Sequence, residues 1–270
     1  MASSGGHGAA FFDLDKTIIA TSSTLAFSRP FFANGLITRG SVIRSMYAQF
    51  FYLAAGADHD QIERMRRYLT ELTSGWEVAA VRQIVAETLH DIVDPVVYDE
   101  ALELIREHQQ HGREVVIVST SGSDVVEPIA ELLGVSTVIA TRLEVRDGRY
   151  TGEIEFYAYG VNKASAIQEL AAREGYDLRE SYAYSDSATD LPMLGAVGHP
   201  SAVNPDKVLR KEAVERGWPV LDFSKPIALR NSHARHARRA TLAMMAVGAG
   251  AAAAGAVAVV SRRTGTRSAI

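Results

Sequence analysis

Apolar positions change their period twice along this chain. Ala9–Leu14 is apolar throughout except for Asp13, the pattern of a short strand covered on both faces. From about Thr21 to Pro95 the spacing is helical, in stretches such as VIRSMYAQFFYLAAG and EVAAVRQIVAETL. Gly35, Gly40, Gly56 and Ser74-Gly75 break this block into several predicted helices. After Asp94-Pro95 the two periods alternate. A helix is predicted over Val97–His111, stopped by Gly112, followed by the β-branched strand EVVIVST. A helix over Ser123–Leu133 leads to the strand TVIAT. LEVRDGRYTGEIE alternates about Asp147-Gly148, a strong hairpin signal. A helix over Lys163–Glu174, the strand SYAYSD and one short strand within GHPSAVNP complete the series.

Strand–helix alternation implies an α/β fold: a Rossmann-like parallel sheet with helices on both faces. The helical block falls after the first strand and has no place in the sheet layer, so it is expected to form a cap. The expected organisation is a disordered stretch over 1–8, a core from 9–20 and 96–222, and a cap over 21–95. A basic linker over 223–239, a transmembrane helix over 240–260 and a tail over 261–270 follow.

The transmembrane expectation rests on Ala240–Val260, which carries no charge and is bracketed by Arg238-Arg239 and Arg262-Arg263. At 1.5 Å per residue it would span roughly 30 Å, a bilayer core, and it has no polar face to suit a soluble helix. Its Ala and Gly content weakens the drive for insertion, but gives small-xxx-small spacings that favour a homodimer through the tail. MASSGGHGAA at the other end lacks the features of a secretory signal. The expected location is therefore the cell membrane, with a single C-terminal anchor and the catalytic domain in the cytoplasm. The 270 residues carry a net charge of −4, against a nucleic-acid partner, and no cysteine, against disulfides and thiolate metal sites.

In an open α/β sheet ligands bind beyond the carboxyl ends of the strands. Polar residues gather there: the first strand ends in Asp13 and Asp15, the second in Ser119, and the fourth in Asp186, with Asp190 four residues on. Lys163 opens the helix before that last strand. An aspartate pair alone is a weak signal; this set, in this order, is a strong one. FDLDKT, VIVSTS, NKASAI and YSDSATDLPML resemble the four motifs of the haloacid dehalogenase-like hydrolases, and among them the phosphoserine-phosphatase-like branch, subfamily IB, over roughly residues 10–222.

The resemblance implies a Mg²⁺-dependent phosphatase acting on a phosphate monoester through an aspartyl-phosphate. By it, Asp13 is the nucleophile and Asp15 the general acid/base, held protonated by repulsion from its neighbour. Ser119 and Lys163 bind the substrate phosphate. Asp13, the Asp15 backbone carbonyl and Asp186 ligate Mg²⁺, and Asp190 orients a metal-bound water or Lys163. Two departures stand out. Ser185 replaces the usual glycine of the fourth motif. The segment ATSSTLAF also lacks the acid that would pair with a phosphoserine ammonium. With aromatic residues in the cap, the expected substrate is a small phosphorylated metabolite or an amphiphilic phosphate. A phosphotransferase using the same intermediate, and a membrane-tethered regulatory module with little activity, remain as alternatives.

Overall fold

A computed structural model of the chain describes residues 7–37 and 72–224. In chain order the elements are β1 (Ala9–Phe12), α1 (Ser23–Ala26), α2 (Ser28–Ala33), α3 (Val78–Val93), α4 (Asp99–Gln110), β2 (Glu114–Gly122), α5 (Ser123–Leu132), β3 (Thr137–Arg146) and β4 (Arg149–Phe156). They continue with α6 (Val161–Glu174), β5 (Tyr182–Ser185), α7 (Leu191–Leu194), β6 (His199–Val203), α8 (Lys207–Arg216) and β7 (Val220–Leu221).

One sheet of order β4-β3-β2-β1-β5-β6-β7 runs through the described residues. All neighbours are parallel except the β3–β4 hairpin. β1 lies at the centre, where the chain, having built β2 and β3 on one side, crosses to build β5 on the other. This is the switch point at which such sheets open a crevice. All four β1 residues are buried, and alternate side chains serve opposite faces. Ala9 and Phe11 pack with Val116 and Val118 of β2 and with Ile167, Leu170, Met193 and Leu209 from α6, α7 and α8. Phe12 faces the other way, stacked on Tyr184 and edge-on to His108 of α4. Helices therefore cover both faces, as the pattern implies. Fully burying each phenylalanine stabilises the fold by about 1.5–3 kcal/mol, which fixes the strand whose end carries Asp13.

The hairpin turn has positive φ at Asp147 and Gly148, as a tight two-residue connection needs. Its outer edge receives the segment that leads into α3. Gly75 N–H donates to the Tyr150 carbonyl, Tyr150 N–H to that of Trp76, and Val78 N–H to that of Gly148. Side chains reinforce this join: Arg149 pairs with Glu77, while Tyr150 and Arg82 both bind Asp124 at the start of α5.

Some boundaries differ from the expected ones. β1 ends at Phe12, so Asp13 and Asp15 lie in the turn beyond it. TVIAT and the first arm of the hairpin form one strand, β3, which pairs with β2 and then with β4. α8 and β7 have no counterpart in the sequence reading. Among the described residues no helix is long and apolar enough to cross a membrane. The proposed span over 240–260, the rest of the basic linker beyond Ser224, and cap positions 38–71 lie outside them.

Candidate active site

Asp13 follows β1, and its N–H donates to the Tyr184 carbonyl of β5. Its carboxylate is buried and has two partners: Lys163 Nζ reaches Oδ1 at 2.7 Å, and the Thr17 hydroxyl donates to Oδ2 at 3.3 Å. Lys163, in the first turn of α6, is only 1% exposed and also donates to Asp190 Oδ2 at 2.8 Å. One ammonium thus joins the ends of β1 and β5. Burial alone would lower the Lys163 pKa, but Asp13 and Asp190 outweigh it and hold the lysine charged. The Asp13 carboxyl is pushed well above its usual range, first by burial and then by Asp190 and Asp186, with Lys163 opposing.

Asp15 has different partners. Ser23 N–H donates to Oδ1 at 2.9 Å, and the Ser121 hydroxyl to Oδ2 at 3.2 Å, with Ser22 near the same oxygen at 3.4 Å. Ser121 also receives a hydrogen bond from the Ser23 hydroxyl at 2.8 Å. The Asp15 pKa is raised, by burial in the first place, while the bonds from Ser23 and Ser121 pull against it. The elevation fits a carboxyl that keeps a proton, but its cause is desolvation, whereas sequence reading expects repulsion from Asp13.

Asp186 is pushed up to about 7, mainly by burial, with Asp190 and Asp206 adding to the shift and Lys16 and Lys163 opposing it. Lys16 stands 4.0 Å away on a half-exposed side chain, too loose to neutralise it. One buried ammonium, bonded to Asp13 and Asp190, therefore stands against three carboxyl groups, with Asp186 left to the loose Lys16 contact. A site with surplus negative charge and only oxygen donors suits a hard divalent cation. No group of three or more His, Asp or Glu side chains at metal-holding spacing occurs among the described residues. The expected donor set contains two carboxylates and a backbone carbonyl, so it does not require such a group.

The structure brings Asp13, Lys163 and Asp190 into direct contact and holds Asp15 beside them through serines. Ser119 is fully buried, its hydroxyl accepting from Ser121 N–H at 3.2 Å. Sequence reading missed Ser121, Ser22 and Ser23. Ser121 lies within the second motif and Ser23 within ATSSTLAF, so position near a motif was the available signal.

A family model described as haloacid dehalogenase-like hydrolase matches residues 10–195. The inhibition of morphological differentiation protein of Streptomyces azureus is 65% identical over 223 residues, covering 82% of this chain and 80% of that one. A phosphoserine phosphatase of Mycobacterium tuberculosis is 35% identical over 217 residues, covering 80% and 70%. Among solved structures, a Bordetella pertussis Tohama I protein of unknown function superposes with a TM-score of 0.71 at 30% identity, over 80% of this chain and 99% of that one. With its four motifs converging at the ends of β1, β2 and β5, and a family match that spans most of the sheet, this chain belongs to the haloacid dehalogenase-like hydrolases, as a phosphatase of the phosphoserine-phosphatase-like branch.

Proposed function

We propose that the protein hydrolyses a phosphate monoester in two steps through Asp13, with Mg²⁺ as cofactor. The observation that carries this reading is the division of labour between two neighbouring acids. Asp13 sits against the Lys163 ammonium, and Asp15 is held apart by serines with a raised pKa. In the first step an Asp13 oxygen bonds to phosphorus, the bond from phosphorus to the ester oxygen breaks, and the Asp15 proton passes to that leaving oxygen. In the second, ionised Asp15 takes a proton from water, the water oxygen bonds to phosphorus, and the acyl phosphate bond breaks to free Asp13 and phosphate. Lys163 attracts the incoming phosphate and stays charged throughout. Bound by Asp13, Asp186 and the Asp15 carbonyl, Mg²⁺ would supply the positive charge that lets a dianionic substrate approach three carboxylates.

The position where a phosphoserine phosphatase would carry an acid holds Ser22, Ser23 and Thr24. Ser23 and Thr24 bond to Ser121. This supports a neutral or amphiphilic leaving alcohol over phosphoserine. The uncharged run over 240–260 supports a membrane anchor, which would keep the enzyme near such a substrate.

The test is a screen of phosphorylated metabolites and lipids with Mg²⁺, with inorganic phosphate as the product measured. Asp13→Asn is expected to lose activity by several orders of magnitude and to give no acid-stable phosphoenzyme. Full activity in Asp13→Asn would overturn the mechanism. Transfer of phosphate to an added alcohol without release would favour a phosphotransferase.

A further inference from the structure

Behind the Lys163 ammonium lies a second hydrogen bond that the motif resemblance does not assign. Ser185 ends β5 and is fully buried, in register with Ala202 of β6. Its hydroxyl donates to Asp190 Oδ2 at 2.7 Å and accepts from Ser187 N–H at 3.2 Å. The same Asp190 oxygen accepts from Lys163 Nζ, whose other bond goes to Asp13. A glycine here would offer neither bond.

We propose that Ser185 is a positioning residue: its hydroxyl fixes the Asp190 carboxylate, and through it the Lys163 ammonium, against Asp13. Its bearing on turnover rests on the phosphatase reading above. Lysine is a compact charge on a flexible stem and takes its place from its partners. Asp190 closes a three-residue 3-10 turn, Ala188–Asp190, rather than a strand. The Ser185 hydroxyl supplies the tie from that turn to the rigid centre of the sheet. The bond is short and charge-assisted, the stronger class of hydrogen bond.

The test is a double-mutant cycle on the full chain with Ser185→Ala, Asp190→Asn and the pair. Three quantities are read: kcat and KM on p-nitrophenyl phosphate, inhibition by inorganic phosphate, and thermal melting. Ser185→Ala is expected to lower kcat/KM and weaken phosphate inhibition by about tenfold. In the Asp190→Asn background the same substitution should change either by less than about twofold, because its route has already been removed. Melting shifts should show the same coupling. Additive effects, or wild-type kinetics in Ser185→Ala, would overturn the proposal. If the wild-type chain hydrolyses no phosphate monoester, the phosphatase reading fails separately, and the melting cycle alone decides whether Ser185 acts through Asp190. Should Ser185→Ala not fold, Ser185→Cys, which keeps the side chain but weakens its donor, enters the same cycle with the same criteria.

Discussion

Lys163 is buried between two carboxylates, so its removal has two separable effects. Lys163→Ala leaves Asp13 and Asp190 without their shared cation, and losing one side of a buried ion pair costs about 3–5 kcal/mol. Burial already raises the Asp13 pKa, and without the lysine it rises further. The folded variant then holds more protons than the unfolded chain, so its stability declines as pH rises above the ordinary carboxylate range. Urea unfolding should show a deficit that widens as pH rises above the ordinary carboxylate range, alongside lost activity. His108 works in the opposite direction. It is buried against Phe12, with Nε2 2.9 Å from the Tyr184 hydroxyl, and burial lowers its pKa from 6.5 to about 4. The unfolded chain takes up this proton near 6.5 while the folded chain resists. Its contribution is complete above about pH 6.5 and is lost as pH falls toward 4. His108→Phe should flatten the dependence of melting temperature on pH in that window. At this scale Asp13 was legible because a charge inside an apolar run is costly to bury unless a partner or a reaction requires it, and the other acids and Lys163 by their place at predicted strand ends and in the motifs. The roles of Ser121, Ser23 and Ser185 were not, although Ser185 stood out in place of a glycine, because a serine looks the same in sequence whether its hydroxyl meets a carboxylate or water.

The elements were legible where one period dominated. β1, β2, α5, α6 and the Asp147-Gly148 hairpin all fall near their expected limits. α8 was not recognised because KVLRKEAVER is mostly charged and buries only Leu209 and Ala213. β7 is two residues long and carries no period at all. β3 was divided in two because it changes partner midway, and nothing in a single strand's sequence records its neighbours. The join between the hairpin and α3 was equally hidden, since it depends on contacts distant in sequence. It nevertheless has a measurable energy. Tyr150 donates to Asp124 at 2.5 Å, and Arg82 reaches the same carboxylate at 2.6 Å. Tyr150→Phe should cost about 1.5–3 kcal/mol, the range for a hydrogen bond to a charged group. Hydrogen exchange should quicken at the Gly75, Val78 and Tyr150 amides and leave those of β1 unchanged.

For the molecule as a whole, the core and the tail should separate cleanly. Ser224 N–H and hydroxyl both bind Glu100, and Phe223 packs edge-on to Tyr98. A chain cut after Ile227 keeps these contacts and every proposed catalytic residue, so it should stay soluble and fully active. The full chain should sediment with membranes and require detergent for release; release by salt alone would replace the anchor with surface binding. Chelator should abolish the activity of both forms and Mg²⁺ restore it. The way the sheet ends on its β4 side has a consequence for self-association. An open strand edge is a template for another copy, and edges that remain unpaired invite fibrils. Along Gly148–Tyr150 the outward carbonyls and amide already bond to the chain's own 75–78 segment. Strand addition by another copy is therefore blocked at that stretch, and the concentrated core should remain negative to thioflavin T. A lesion that peels the 75–78 segment away would expose the template and turn a folding fault into an aggregation fault.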